Sequence, residues 1–73
     1  MHYTQEPEIK KLKVIDENSL LILVNKYRDR NVFLKKIYVA ACVFEKLLIH
    51  NINGVPIFPD NGTSDAHKIM LVH

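Results

Sequence analysis

Asn31 to His50 reads NVFLKKIYVAACVFEKLLIH, and the secondary structure given to this stretch decides the fold. Neither Gly nor Pro interrupts it, and Asn31 is an acceptable N-cap after Tyr27-Arg28-Asp29-Arg30. At about 100° per residue, Phe33, Ile37, Ala40, Ala41, Phe44, Leu47 and Leu48 share one broad apolar face. Asn31, Lys35, Glu45 and Lys46 fall opposite. The stretch therefore predicts one long amphipathic helix. A second, narrower stripe of Val32, Val39 and Val43 lies beside Lys36 and His50, with Cys42 close by. A lone sheet covers one face of a helix, so the valine stripe is assigned to a subunit interface; a terminus or loop lying over it is the alternative.

Upstream, Ile9 to Ile15 alternates imperfectly, with Leu12 and Val14 on one side and Lys11 and Lys13 on the other, as in a half-buried strand. Asp16-Glu17-Asn18-Ser19 admits two readings. As a turn it makes Leu20-Leu21-Ile22-Leu23-Val24 the second strand of a hairpin, which is the preferred reading. As a helix start, with Asp16 as N-cap, it puts Leu20, Leu21, Leu23, Val24 and Tyr27 on one face. Downstream, Asn51-Ile52-Asn53-Gly54 reads as the helix stop, Gly54 supplying the positive φ. Val55-Pro56-Ile57-Phe58 reads as a short edge strand. Pro59-Asp60-Asn61-Gly62 has turn chemistry, and Ala66 to Val72 closes a C-terminal hairpin. The expected fold is α+β: a small antiparallel sheet of three or four strands packed on one long helix, as ββαββ or β-α-α-ββ. Residues 1–8 form a polar lead to a single domain spanning 9–73.

The chain has 73 residues, 48% apolar and 25% charged, values of a globular rather than a disordered sequence. A core this small is marginal alone and commonly needs disulfides, a metal or a partner. A single cysteine excludes an intramolecular disulfide, which leaves self-association as the expected supplement. The first residues lack a basic segment followed by an apolar one, and the longest apolar run, Ile37 to Phe44, is far short of the ~20 residues of a membrane span. A cytoplasmic location is expected, with Asn61-Gly62-Thr63 a turn rather than a glycosylation acceptor.

Catalytic patterns fare poorly. In a regular strand His67 and His73 would stand about 20 Å apart, and in a helix Cys42 and His50 about 12 Å apart, so neither pair shares an ion. Ser64-Asp65-Ala66-His67 has the residue types of a triad, but neighbours in a loop rarely converge as one does. The oxygen-rich Asp60 to Asp65 segment misses a calcium-loop register, and two glycines cannot build a phosphate-binding loop. No metal, no cofactor and no enzymatic activity are expected.

Charge carries the remaining signal. Residues 26–46 hold six cations against two carboxylates, a net of +4, while the segments on either side are each −1. Lys26, Arg28, Arg30, Lys35, Lys36 and Lys46, interleaved with Tyr27, Phe33 and Tyr38, are the candidate partner- or anion-binding residues. The leading expectation is a small homo-oligomeric interaction module, an adaptor, inhibitor or regulator, that binds a macromolecular partner, a protein for preference. The alternative is binding of nucleic acid or an anionic nucleotide-like ligand through the basic segment.

Overall fold

The computed structural model describes residues 8–62 and 64–73. Seven elements follow one another: β1 (Glu8–Lys11), α1 (Glu17–Arg28), β2 (Lys36–Ala40), α2 (Ala41–Lys46), β3 (Asn51–Ile52), β4 (Val55–Asp60) and β5 (Lys68–Val72). The five strands form one mixed sheet in the order β1-β5-β2-β4-β3. β2 and β4 are parallel, and every other neighbouring pair is antiparallel. The α+β class holds, whereas the antiparallel sheet on one long helix gives way to a five-stranded mixed sheet with two helices.

The Asp16 segment starts a helix, not a hairpin. Asp16 accepts the Ser19 backbone N–H at 2.8 Å and donates its own N–H to the Ser19 hydroxyl at 2.9 Å, a reciprocal capping box. Glu17 in the first turn and Lys26 and Arg28 in the last complement the helix dipole. Leu20, Leu23, Val24 and Tyr27 recur at helical spacing and form the buried stripe of α1. The helix stops at Asn31, which takes φ 59°. Asn31 N–H reaches Arg28 O at 2.9 Å and Val32 N–H reaches Tyr27 O at 2.9 Å, the paired bonds of a Schellman stop. The residue expected to cap the long helix therefore ends the one before it.

The long helix over 31–50 is replaced by a loop, β2, the six-residue α2 and a second loop. Lys36-Ile37-Tyr38-Val39 alternates exposed, buried, half-buried, buried, the period of a strand, and its β-branched residues suit a pleated surface. Phe33 and Leu48, expected on the core face of that helix, are 65% and 89% exposed. The valine stripe dissolves with the helix. Val39 is wholly buried in β2, Val43 is buried in α2, and Val32 packs against the same core. Val39 and Val43 lie in this chain's own interior and Val32 is half-buried against it, so the three do not form one exposed stripe.

Gly54 ends no helix. Asn53 and Gly54, at φ 49° and 86°, form the two-residue turn of the β3–β4 hairpin, the geometry that Asn-Gly favours. β4 lies between β2 and β3, so Val55–Phe58 is not an edge. Pro56 is tolerated there because the N–H of Ile57 carries the bond to the β3 side, reaching His50 O at 2.9 Å. The expected C-terminal hairpin is also absent: β5 lies on the far side of β2 from β4. Glu8, expected in the polar lead, opens β1, and the rest of that lead lies outside the described residues. Among the described residues no helix is long and apolar enough to cross a membrane.

Candidate functional site

The sheet has two unlike faces. Strand alternation turns Ile37, Val39, Val55, Ile57, Ile69 and Leu71 to one side, where they share a core cluster with Leu20, Leu23, Val24 and Tyr27 of α1 and Val43 and Leu47. Among the described residues neither helix covers the other side of the same strands, which is the open side. Apart from Ala40, where β2 runs into α2, its residues are half-buried or exposed.

Register turns that open side into a row. Ile9 pairs with Met70, Met70 with Tyr38, and Tyr38 with Phe58, so four apolar side chains cross β1, β5, β2 and β4 in one line. Ile9 is 56% exposed and Phe58 41%, while Met70 and Tyr38 are half-buried. The Tyr38 and Phe58 rings lie 5.8 Å apart, tilted by 36°. Val72 and Lys36, themselves register partners, flank the row on one side. Lys11 and Lys68, also partners, flank it on the other. Lys11 is held by Asp65 at 3.5 Å; among the described residues neither Lys36 nor Lys68 forms an ion pair. An apolar strip with an aromatic pair and lysine borders can take a ring-bearing or apolar partner, and nothing in it resembles a catalytic set.

The six cations singled out in the sequence do not converge into one patch. Lys26 and Arg28 stand exposed on the last turn of α1, where Arg28 Nη2 donates to Asn53 O at 2.9 Å. Lys35 and Lys36 sit at the start of β2, the Lys35 N–H bonding Val72 O, and Lys36 alone faces the open side. Arg30 lies close enough to Lys10 to oppose its protonation. Lys46 ends α2, exposed. Of the aromatics interleaved with these cations, Tyr27 is in the core, Phe33 is exposed in the α1–β2 loop, and only Tyr38 reaches the open face. Ile9, Phe58 and Met70 carried no signal singly. Each occupies the alternate, outward position of its strand, and pairing alone aligns them.

A second cluster joins β1, α1 and β5 on the covered face. Tyr27 donates its hydroxyl to Glu8 Oε2 at 2.8 Å, and His73 Nε2 meets Glu8 Oε1 at 2.9 Å. Lys10 Nζ lies 3.8 Å from Glu8 and 5.1 Å from the centre of the Tyr27 ring. The Tyr27 hydroxyl, and after it His73 and Lys10, hold the Glu8 carboxyl below its ordinary range against a desolvation cost. Burial pushes the Tyr27 phenol up. Each member is engaged by another, so the cluster ties elements together.

The other chemistry-bearing groups stay apart. Asp65 accepts the His67 backbone N–H at 2.9 Å, while the His67 ring meets the Leu12 carbonyl, so Ser64, Asp65 and His67 make a turn instead of a triad. Cys42 is exposed on α2. Among the described residues no three His, Cys, Asp or Glu side chains stand close enough to hold a metal. A shallow groove of about 380 Å³ lies between the start of α1 and β3, walled by Leu21, Ile49 and Ile52. Glu17, Asn18, Asn51 and Asn53 complete its lining. No protein-family model, no curated protein and no solved structure matches the chain.

Proposed function

We propose that this chain is a small interaction module that works by holding a macromolecule on the open face of its sheet, without turnover. The supporting observation is the transverse row Ile9–Met70–Tyr38–Phe58, a contiguous apolar strip that the chain's own helices leave uncovered. Strips of this kind on a small soluble domain mark contact surfaces. A cytoplasmic setting accords with the one free thiol, Cys42, which such a compartment keeps reduced.

Site-specific photo-cross-linking tests the reading. A benzoyl-phenylalanine at Phe58 in the native host should give a discrete cross-linked species. The same group at Ile22, 60% exposed on α1, should not. Equal yields at both positions, or none at Phe58, would remove the open face as the working surface.

A further inference from the structure

Building on the open face as the working surface, we propose that its occupant is single-stranded nucleic acid, with bases stacked on Tyr38 and Phe58 and phosphates met by Lys36 and Lys68, which flank the row. Three observations support this occupant.

The aromatic pair comes first. Tyr38 and Phe58 stand on adjacent parallel strands with ring centres 5.8 Å apart and the Phe58 ring open to solvent. Aromatic rings on an exposed surface offer successive bases a stacking platform that tolerates any sequence. Ile9 and Met70 continue the row and can pack against a further base or sugar.

Charge decides between occupants. Lys36 opens β2 beside the end of β5, on the face of the row, and forms no ion pair among the described residues. Lys36 makes one border of the row cationic, and on the other border Lys68 stands without an ion pair among the described residues beside Lys11, which Asp65 holds. A polyanion lying along the row meets a lysine on each border. A second copy of the chain is disfavoured, because a face-to-face pair would bring like lysines toward one another. The row is also narrow beside the roughly 800 Å² per partner of a stable protein interface.

Strand type follows from shape. A sheet face that offers exposed rings stacks bases that are already splayed, whereas a duplex hides its bases within the stack. Single strands are therefore held in preference to duplex of the same length.

The test titrates the full chain against fluorescein-labelled oligothymidylate and oligouridylate of about 12 nucleotides, with the matching duplex as competitor, read by anisotropy at two salt concentrations. Single strands should bind and the duplex should compete poorly. Tyr38→Ala and Phe58→Ala should each weaken binding about five- to hundredfold, and Tyr38→Phe should restore it. Lys36→Ala should lower the slope of log affinity against log salt by about 0.7. Leu48→Ala, remote from the row, should bind as wild type. Absence of binding at low salt, or binding indifferent to Tyr38 and Phe58, overturns the inference. So does a dimer in sedimentation that Phe58→Ser dissociates, since the face would then belong to a second copy. A protein cross-linked through Phe58 with no oligonucleotide bound would refute nucleic acid and leave the interaction module standing. Silence in both experiments would refute both.

Discussion

His73 Nε2 stands 2.9 Å from Glu8 Oε1, which ties the residue following β5 to the first residue of β1. The other oxygen of the same carboxylate accepts the Tyr27 hydroxyl at 2.8 Å. One glutamate thus joins an outer strand, its neighbour and the helix above them. Such a clasp matters in a sheet whose β1 is only four residues long.

Acid should loosen this clasp. The Glu8 pKa is lowered in the fold, chiefly by the Tyr27 hydrogen bond. A depressed carboxylate contributes stability that is present above its unfolded pKa and is lost as pH falls through the folded value. Melting temperature should therefore fall below about pH 4, and Glu8→Gln should flatten part of that decline. Glu17 and Asp65 are depressed too, so the difference between wild type and variant isolates Glu8. Its side chain is 39% exposed, and solvent screening keeps the effect small. Superimposable acid slopes in the two proteins would take Glu8 out of the linkage.

The capping box at the head of α1 offers a cleaner energy. Asp16→Ala removes the acceptor for the Ser19 N–H and should cost about 1 kcal/mol in urea unfolding. Ser19→Ala removes the return bond from the Asp16 N–H. Because both substitutions break one reciprocal motif, the double variant should lose less than the summed single losses. Strict additivity would mean that the two bonds act independently.

How much of this architecture the sequence discloses depends on the range of the interaction. Local signals are readable: Asp16 as a cap and the Leu20/Leu23/Val24/Tyr27 stripe identify α1 once the helical alternative is taken. The stretch 31–50 misleads because its apolar residues are dense enough to satisfy a 3.6-residue period by chance. Within it Lys36-Ile37-Tyr38-Val39 satisfies a period of two, and Ile37 and Val39 follow that one because the core cluster with α1 covers that face of β2. Asn53-Gly54, two residues between Ile52 and Val55, is a hairpin signal in its own right, masked by treating Gly54 as the end of the preceding helix. The parallel pairing of β2 with β4 and the insertion of β5 beside β2 involve residues far apart in the chain, and no local pattern encodes them. The open-face row inherits that limit. Tyr38 stands out among the cations, but Ile9, Met70 and Phe58 join it only through register.

The hairpin turn can be tested at one atom. Gly54 has φ +86° with open space where a Cβ would sit, so a substitution meets backbone strain and no clash. Gly54→Ala should cost about 1–2 kcal/mol, the penalty of left-handed backbone for an L-residue. Thermal unfolding reads it directly. A neutral Gly54→Ala would show that the turn relaxes to another type without loss.

Paired substitutions on the two faces of the sheet separate core from contact surface. Val39 has no exposed area and lies inward between Ile69 and Pro59 in the register. Val39→Lys would bury an unpaired ammonium at a cost of several kcal/mol, comparable to the whole stability expected of so small a domain, about 3–5 kcal/mol. It should abolish folding, seen as collapse of amide dispersion in an NMR spectrum. Phe58→Lys, one position after the inward Ile57, places its charge in solvent and should keep the dispersion. Val39 and Phe58 differ in parity on strands whose pairing is fixed by Tyr38 opposite Phe58. A folded Val39→Lys beside an unfolded Phe58→Lys would therefore mean that the sheet buries its other face, and the transverse row would be core.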